Sequence, residues 1–136
     1  MPDATPTFDR AAVRKALRTG GIIDITTTGR KSGEPRRIEI VFHAFDGQVW
    51  ISGMPGRKRG WIANLEADPR LTFHLKMGPV ADLPAHARIV TDEPTRRAIL
   101  ARVTKAWDRE AQLEDFVAGS PLIEITFDDP TLLSDA

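Results

Sequence analysis

Apolar and polar residues alternate along several short stretches of the chain, and this pattern is typical of half-buried strands. Ile38, Ile40 and Phe42 alternate with polar neighbours, and the segment Leu71–Lys76 has the same period of two. A largely apolar run, Ile22–Ile25, precedes them. The pattern predicts strands over about residues 22–28, 36–45, 48–53, 71–76 and 122–127, and an extended run over about 80–90 that Pro84 interrupts.

Helical spacing and helix-boundary residues predict four helical segments between these strands. Asp9 is a candidate N-cap for a helix over about 9–18, and Asp68-Pro69 ends another over about 60–67. Thr91 or Asp92 begins the longest helix, whose apolar side recurs at helical spacing through Trp107. A short helical piece over about 110–117 ends at Gly119.

Short antiparallel strands with helices inserted between them are typical of an α+β fold whose sheet closes into a small barrel. We expect one domain over residues 1–136, with the barrel over about 22–127. Asp46-Gly47 predicts a tight hairpin between two of its strands. The order of the strands cannot be obtained from this pattern.

Composition excludes several classes of function. The chain of 136 residues has no cysteine, which excludes disulfides, thiolate metal sites and thiol nucleophiles. Lysine and arginine balance aspartate and glutamate at 19 each, so the broad basic excess of a nucleic-acid-binding protein is missing. No run of about 18 apolar residues and no signal-peptide pattern is present, so we expect a cytoplasmic protein without membrane insertion.

The segment Thr26-Thr27-Thr28-Gly29-Arg30-Lys31-Ser32-Gly33-Glu34-Pro35-Arg36-Arg37 concentrates positive charge on one predicted hairpin. Gly29 and Gly33 can adopt positive φ, and Pro35 resists pairing, so a loop is expected between the two strands. Backbone N–H groups and hydroxyls beside fixed cations suit a phosphate or carboxylate. The candidate ligand-binding residues here are Thr28, Arg30, Lys31, Ser32 and Arg36. The alternative is that these charges only solvate a turn and protect a sheet edge.

A second basic cluster, Arg57-Lys58-Arg59, follows the Gly/Pro-rich segment Gly53-Met54-Pro55-Gly56 and precedes the predicted helix at Gly60-Trp61. A helix N-terminus adds free N–H donors and a partial positive charge, so we predict a second anion-binding element. The two basic loops are expected to converge on one small anionic ligand.

Three segments in the same order resemble the deazaflavin-dependent nitroreductase family of the split β-barrel flavin-binding group. They are the basic hairpin, Asp46-Gly47, and the segment Trp61-Ile62-Ala63-Asn64-Leu65-Glu66-Ala67-Asp68-Pro69. The resemblance implies a split barrel that binds coenzyme F420 and transfers hydride to a quinone, enone or nitro compound. Carried over position by position, it assigns Arg30, Lys31 and Arg36 to the phosphate and oligoglutamate tail of the cofactor. It places Asn64 and Trp61 on the helix beside the cofactor groove, and Ser52 near the phosphate.

The chain departs from the family at positions that bear on the ligand. Gly53 stands where the family often has lysine, and Arg57, Lys58 or Arg59 is expected to replace that charge. The chain has no tyrosine, so an apolar pocket of Phe42, Met54 and Trp61 is expected to favour larger, less polar acceptors. FMN in place of F420 remains an alternative, as does a non-enzymatic cofactor-binding module. A homodimer is a further expectation from the resemblance.

The three histidines do not have metal-ligand spacing, so no metal site is predicted. His43 and His74 lie in alternating strands, where a hydrogen-bonded structural role is the favoured interpretation. The alternative is that one of them faces the groove and donates a proton to the reduced substrate.

Overall fold

The computed structural model describes residues 9–56 and 59–133, and the strands of this part of the chain form a closed antiparallel barrel. Its order is β1-β2-β3-β6-β5-β4, with β4 pairing back to β1. This confirms the predicted α+β barrel and supplies the missing strand order. The strands are β1 (Gly21–Thr28), β2 (Pro35–Phe45), β3 (Gln48–Ser52), β4 (Arg70–Leu75), β5 (Ala81–Ile89) and β6 (Leu122–Phe127).

Four α-helices are present in the described residues: α1 (Arg10–Thr19), α2 (Gly60–Ala67), α3 (Glu93–Ala106) and α4 (Leu113–Gly119). Short 3-10 turns lie at Glu110–Gln112 and Pro130–Leu132. Both predicted N-caps are confirmed, since Asp9 accepts from the Ala12 N–H at 3.1 Å and Asp92 from the Thr95 N–H at 3.0 Å. The helices therefore begin where side-chain oxygens satisfy free N–H groups.

The barrel interior is filled by the apolar residues of each alternating strand. Helix α1 contributes Val13 and Leu17 to this core, and α2 contributes Trp61 and Leu65. Helix α1 lies beside the start of β1, and α2 lies beside its end. The two ends of the barrel are thus covered by different helices, and the basic β1–β2 loop lies at the end covered by α2.

Helices α3 and α4 pack on the outside of the barrel around a second apolar cluster. Trp50 and Leu122 extend from β3 and β6 into this cluster and meet Leu100, Val103 and Phe116. Trp107 packs at its margin, with its ring 6.1 Å from that of Phe116. Trp50 therefore packs outside the barrel, against α3 and α4.

One turn and one proline within a strand show how local sequence shapes the sheet. Asp46 and Gly47 have φ of 53° and 78°, as the predicted two-residue hairpin requires. The predicted interruption at Pro84 was wrong, because β5 continues through it with Pro84 opposite Thr72. The Pro84 carbonyl accepts from Asp128 N–H at 3.0 Å, just past the end of β6. The missing N–H of proline therefore falls where β6 has already ended and removes no pairing to β4.

Candidate functional site

A groove of about 420 Å³ opens at the end of the barrel between the β1–β2 loop and α2. Six of the predicted site residues meet here: Arg30, Lys31, Ser32 and Arg36 from the hairpin, and Trp61 and Asn64 from α2. Thr27, Gly29, Ile38 and Gly60 complete its lining. Two segments separated by about thirty residues in the sequence therefore meet as the resemblance implied.

The loop between β1 and β2 is closed by backbone hydrogen bonds. Gly29 N–H donates to the Glu34 carbonyl at 2.8 Å, and Gly33 N–H donates to the Gly29 carbonyl at 2.8 Å. Gly33 has the predicted positive φ, 72°, whereas Gly29 does not. Glycine is needed at position 29 for space, since a Cβ there would lie 2.6 Å from Ser32 Oγ and 3.2 Å from the Glu34 carbonyl.

Asn64 joins the hairpin loop to α2. Its side chain is 6% exposed, and its Oδ1 accepts from Arg30 N–H at 3.1 Å and from Arg30 Nη1 at 3.2 Å. Its Nδ2 donates to Thr27 Oγ1 at 3.1 Å. The amide therefore has both of its polar atoms bonded, and it fixes the backbone and the guanidinium of Arg30 together.

The charge around the groove is one-sided. Arg30, Lys31 and Arg36 line it, and none of the described lining residues is a carboxylate. Arg36 donates to Ser32 Oγ at 3.3 Å, and the Glu34 carboxylate lies 3.9 Å from its guanidinium, with both side chains more than half exposed. An exposed pair at that separation compensates the charge weakly. The groove therefore presents concentrated positive charge to an incoming anion.

A second cavity of about 440 Å³ continues from the first, because Arg30 and Gly60 line both. Arg59, the N-cap of α2, lies in it together with Glu66 and the segment Gly119–Pro121. Arg30 of the hairpin loop and Arg59 before α2 therefore line one cavity. Arg57 and Lys58, predicted for the same role, lie outside the described residues.

Besides Arg59, the predicted site residues Thr28 and Ser52 also do not line the groove. Thr28 lies on the opposite face of β1 and lines a different cavity, with Arg70 and Thr72. Successive side chains of a strand point to opposite sides, so Thr27 lines the groove instead. Ser52 is 3% exposed and donates its hydroxyl to the Pro121 carbonyl at 2.7 Å.

The alternation of β1 predicts that Thr27, and not Thr28, faces the groove. Ile23 and Ile25 are buried inside the barrel, and Thr27 continues their side of β1. No comparable signal was available for Gly119–Pro121, which the sequence places far from both basic loops.

The predicted apolar acceptor pocket is not assembled. Only Trp61 lines the groove, whereas Phe42 lines a cavity beside α1 and Met54 packs in the cluster of α3 and α4. The reason is that Phe42 and Trp61 lie at opposite ends of the barrel, while Met54 follows β3 on the outer side.

None of the three histidines lines the groove. His74 forms hydrogen bonds with Thr26 Oγ1 at 2.6 Å and Asp82 Oδ1 at 2.7 Å, in agreement with a structural role. His86 lies 2.7 Å from the Asp128 carboxylate. His43 is buried between Phe45 and Trp107, and this burial lowers its pKa. His43 is therefore a neutral packing residue and not the predicted hydrogen-bonded one.

Two further properties concern the described part of the chain. Within residues 9–56 and 59–133, no cluster of three or more histidine, aspartate or glutamate side chains is arranged to hold a metal ion. No helix in this part is long and apolar enough to cross a membrane.

Comparisons with known proteins agree with this architecture. A family model described as F420H(2)-dependent quinone reductase matches residues 7–114. A conserved hypothetical protein of Mycobacterium tuberculosis, Rv2991, superposes with a TM-score of 0.69 at 17% identity, covering 94% of this chain and 86% of that chain.

Two further solved structures have the same fold. The F420-H2 dependent reductase FDR-A superposes with a TM-score of 0.59 at 21% identity, covering 77% of this chain and 93% of that chain. A chain described as a domain-swapped dimer gives a TM-score of 0.59 at 21% identity, over 77% and 79% of the two chains. At these identities the likeness to the solved structures shows the fold alone.

Proposed function

The chain belongs to the F420H(2)-dependent quinone reductase family, and from this we propose that its basic groove binds the phosphate and oligoglutamate tail of coenzyme F420. The family is one of oxidoreductases that depend on this deazaflavin and reduce a quinone. One observation carries the assignment of the groove: three cations line it, and no carboxylate among its described lining residues opposes them.

The donor set suits the anionic part of the cofactor. Arg30 and Arg36 offer planar guanidinium groups that can bind phosphate or carboxylate oxygens in pairs, and Lys31 adds a point charge. The first turn of α2 begins at Gly60, where backbone N–H groups lack intrahelical acceptors. Trp61 and Ile38 supply an apolar wall beside these donors. The residues present therefore fit a ligand that is anionic at one end and aromatic at the other.

The reduced deazaflavin supplies the hydride when bound, so the protein has to bind and orient rather than provide a nucleophile. Asn64 holds Arg30 in place by two hydrogen bonds and thereby sets the position of one anion-binding guanidinium. No imidazole lies among the described residues of the groove. We therefore assign no general acid to a histidine of the described groove.

We further propose that the protein reduces a quinone and forms a homodimer. The family acts on quinones, and a quinone is therefore the proposed acceptor, although the apolar pocket expected to select it is not assembled. A homodimer stays a prediction, supported by a structural neighbour described as a domain-swapped dimer. A measurement of the molar mass in solution distinguishes a homodimer from a monomer.

The test of the groove is a titration of the apoprotein with F420, followed by tryptophan fluorescence. A variant with Arg30, Lys31 and Arg36 replaced by alanine should lose affinity by at least about 100-fold, since each charge-assisted contact contributes about 1.5–3 kcal/mol. Affinity should also decrease with salt, because the three side chains are exposed.

Arg37→Ala is the matched control, because Arg37 follows Arg36 on the opposite face of β2 and binds Asp24. Its affinity for F420 should equal that of the wild type. Unchanged affinity in the folded triple variant would disprove the assignment of the groove. Tighter binding of FMN than of F420 would instead support the flavin alternative.

A further inference from the structure

The outer face of the barrel carries a threonine, a histidine and an aspartate on three neighbouring strands. Thr26 lies on β1, His74 on β4 and Asp82 on β5, and Asp82 is directly opposite His74. Asp24 is opposite His74 on its other side, so Thr26, two positions further along β1, is its diagonal neighbour. Side chains at direct and diagonal positions of one sheet face are within reach of one another. The register of the strands therefore brings the three side chains together.

The two hydrogen bonds of His74 determine which of its ring nitrogens carries the proton. His74 Nδ1 lies 2.7 Å from Asp82 Oδ1, and Nε2 lies 2.6 Å from Thr26 Oγ1. An ionised carboxylate only accepts hydrogen bonds, so Nδ1 carries the proton and donates to Asp82. In the neutral ring Nε2 is then unprotonated, and it accepts from the Thr26 hydroxyl. The hydroxyl is thus in contact with a base, and a carboxylate orients that base.

The three side chains differ in their access to solvent. His74 is 7% exposed, whereas Asp82 is exposed and Thr26 is half-buried. Thr26 lines a cavity of about 420 Å³, the outer cavity, together with Thr28, Arg70 and other residues of β1, β4 and β5. A hydroxyl nucleophile needs an oriented base on one side and room for a substrate on the other. The outer cavity supplies that room.

The outer cavity also contains a hydrogen-bond donor that an ion pair holds in place. Asp68 accepts from Arg70 Nε at 3.0 Å and from Arg70 Nη2 at 2.9 Å. Arg70 Nη1 forms no hydrogen bond with the described residues, so its N–H groups are available to a substrate oxygen. The hydroxyl of Thr28 lines the same cavity. Preorganised donors stabilise the negative charge that develops on a carbonyl oxygen under attack.

The charges of the outer cavity are paired, unlike those of the groove. Arg70 is paired with Asp68, and Asp128, which also lines the cavity, lies 2.7 Å from His86 Nδ1. Neither sign of charge is therefore in excess. A small, neutral, polar substrate suits such a cavity better than an anion does.

From this geometry we propose that Thr26, His74 and Asp82 hydrolyse small neutral esters. Thr26 Oγ1 attacks the ester carbonyl while its proton passes to His74 Nε2. The alcohol leaves with that proton, and the acyl group stays on Thr26 Oγ1. Water then attacks this acyl group, its proton returns through His74 to Thr26 Oγ1, and the carboxylic acid is released. Thr26 and His74 are the catalytic residues and Asp82 is a positioning residue. Nothing is oxidised or reduced, so the activity is independent of the cofactor.

The test is a reaction of the full chain with p-nitrophenyl acetate, with no F420 added. Acid quenching and mass spectrometry of the tryptic peptide 19–30 should find the acetyl group on Thr26 and not on Thr19, whose hydroxyl donates to a backbone carbonyl. Thr26→Val should abolish this acetylation, and Thr26→Ser should retain it. His74→Gln should slow it at least about 100-fold, since a general base contributes about 10²–10⁴-fold.

His86→Gln is the matched control, because His86 also contacts a carboxylate but has no hydroxyl on its other ring nitrogen among the described residues. It should leave the acetylation of Thr26 unchanged. Asp82→Asn, at an exposed position, should slow acetylation and move the ring proton of His74 to Nε2, which nitrogen NMR of the imidazole detects. This change of tautomer separates positioning from a merely structural role.

The outcomes that would overturn the proposal are distinct. Acetylation without preference for Thr26, or a rate unchanged in folded His74→Gln, would exclude Thr26 as an activated nucleophile. Acetyl-Thr26 that releases no acetate would exclude the hydrolytic second step. If His74→Gln does not fold, Asp82→Asn decides: an unchanged rate with an altered tautomer would exclude His74 as the base.

Discussion

Arg36 and Arg37 are neighbours on β2, yet they face opposite sides of the strand and meet opposite surroundings. Arg37 points outwards and donates to Asp24 at 2.9 Å, whereas Arg36 lines the groove, with the Glu34 carboxylate 3.9 Å away. The same residue type therefore has two different roles one position apart. The alternation of the strand decides whether a cation supports the sheet or is available to a ligand.

On the outer face of the barrel, in contrast, the positive and negative side chains are paired with one another. Asp24 accepts from both Lys76 and Arg37, and these hydrogen bonds, the one from Lys76 first, lower its pKa. Asp24 and then Glu39 raise the pKa of Lys76. Each charge of this network favours the ionised form of the others. The groove has no comparable network among its described residues, and an anion that binds there competes only with the weak, exposed Arg36–Glu34 pair.

Reversing the charge at Arg36 and at Arg37 should give the largest difference between the two sides of β2. Arg36→Glu should weaken F420 binding by more than about 100-fold, since it removes an attractive contact and adds a repulsive one. Arg37→Glu should leave affinity within about twofold and lower the melting temperature, because it places a carboxylate beside Asp24. Fluorescence titration and thermal unfolding measure the two effects. Similar losses of affinity in both variants would contradict the separation of roles.

A smaller effect is expected from Asn64→Ala, which changes no charge. It removes the acceptor for Arg30 and the donor to Thr27, so F420 affinity should decrease about tenfold and stability by about 1–3 kcal/mol. Asn64 acts on the ligand through Arg30, so the loss of affinity should largely disappear in an Arg30→Ala background. A full loss in that background would mean that Asn64 acts through its bonds to the loop backbone and Thr27, or contacts the cofactor itself, and not through the guanidinium of Arg30.

The smallest effect concerns the outer face alone and depends on pH. The folded-state pKa of Asp24 lies below its ordinary value of 3.8, so its ion pairs stabilise the fold above about pH 4 and this stabilisation is lost as the pH falls through the folded pKa. Asp24→Asn should therefore be less stable than the wild type at pH 7, and the difference should shrink by pH 3. Urea unfolding at both values measures it, with F420 affinity at pH 7 unchanged as the control. A difference that stays constant with pH would show that the charge of Asp24 is not responsible.

The sequence predicted those features that local chemistry determines. Asp9, Asp92 and the pair Asp46-Gly47 act within a few residues of their own position, and each was found where expected. The membership of Arg30 and Asn64 in one site came from the resemblance, because the contact joins segments that are distant in the chain. The alternation of β1 distinguishes Thr27 from Thr28, because Thr27 lies on the same side as the buried Ile23 and Ile25.

Other features depend on contacts that no local pattern contains. The closing pair of β1 with β4 and the insertion of β6 between β3 and β5 are choices among many strand orders. The role of Ser52 required knowledge that Pro121 lies beside it, 69 positions along the chain. The strand order also determines that Phe42 and Met54 lie away from Trp61, and the sequence pattern does not contain that order.

The insertion of β6 has a consequence for how the protein is made. Its strand, Leu122–Phe127, is the last in the described chain, and both of its neighbours, β3 and β5, are synthesised earlier. Until it arrives, those two strands have open edges that can pair with other nascent chains. These edges are closed only when β6 pairs with both strands, so the chain is most prone to association before β6 has been synthesised and paired.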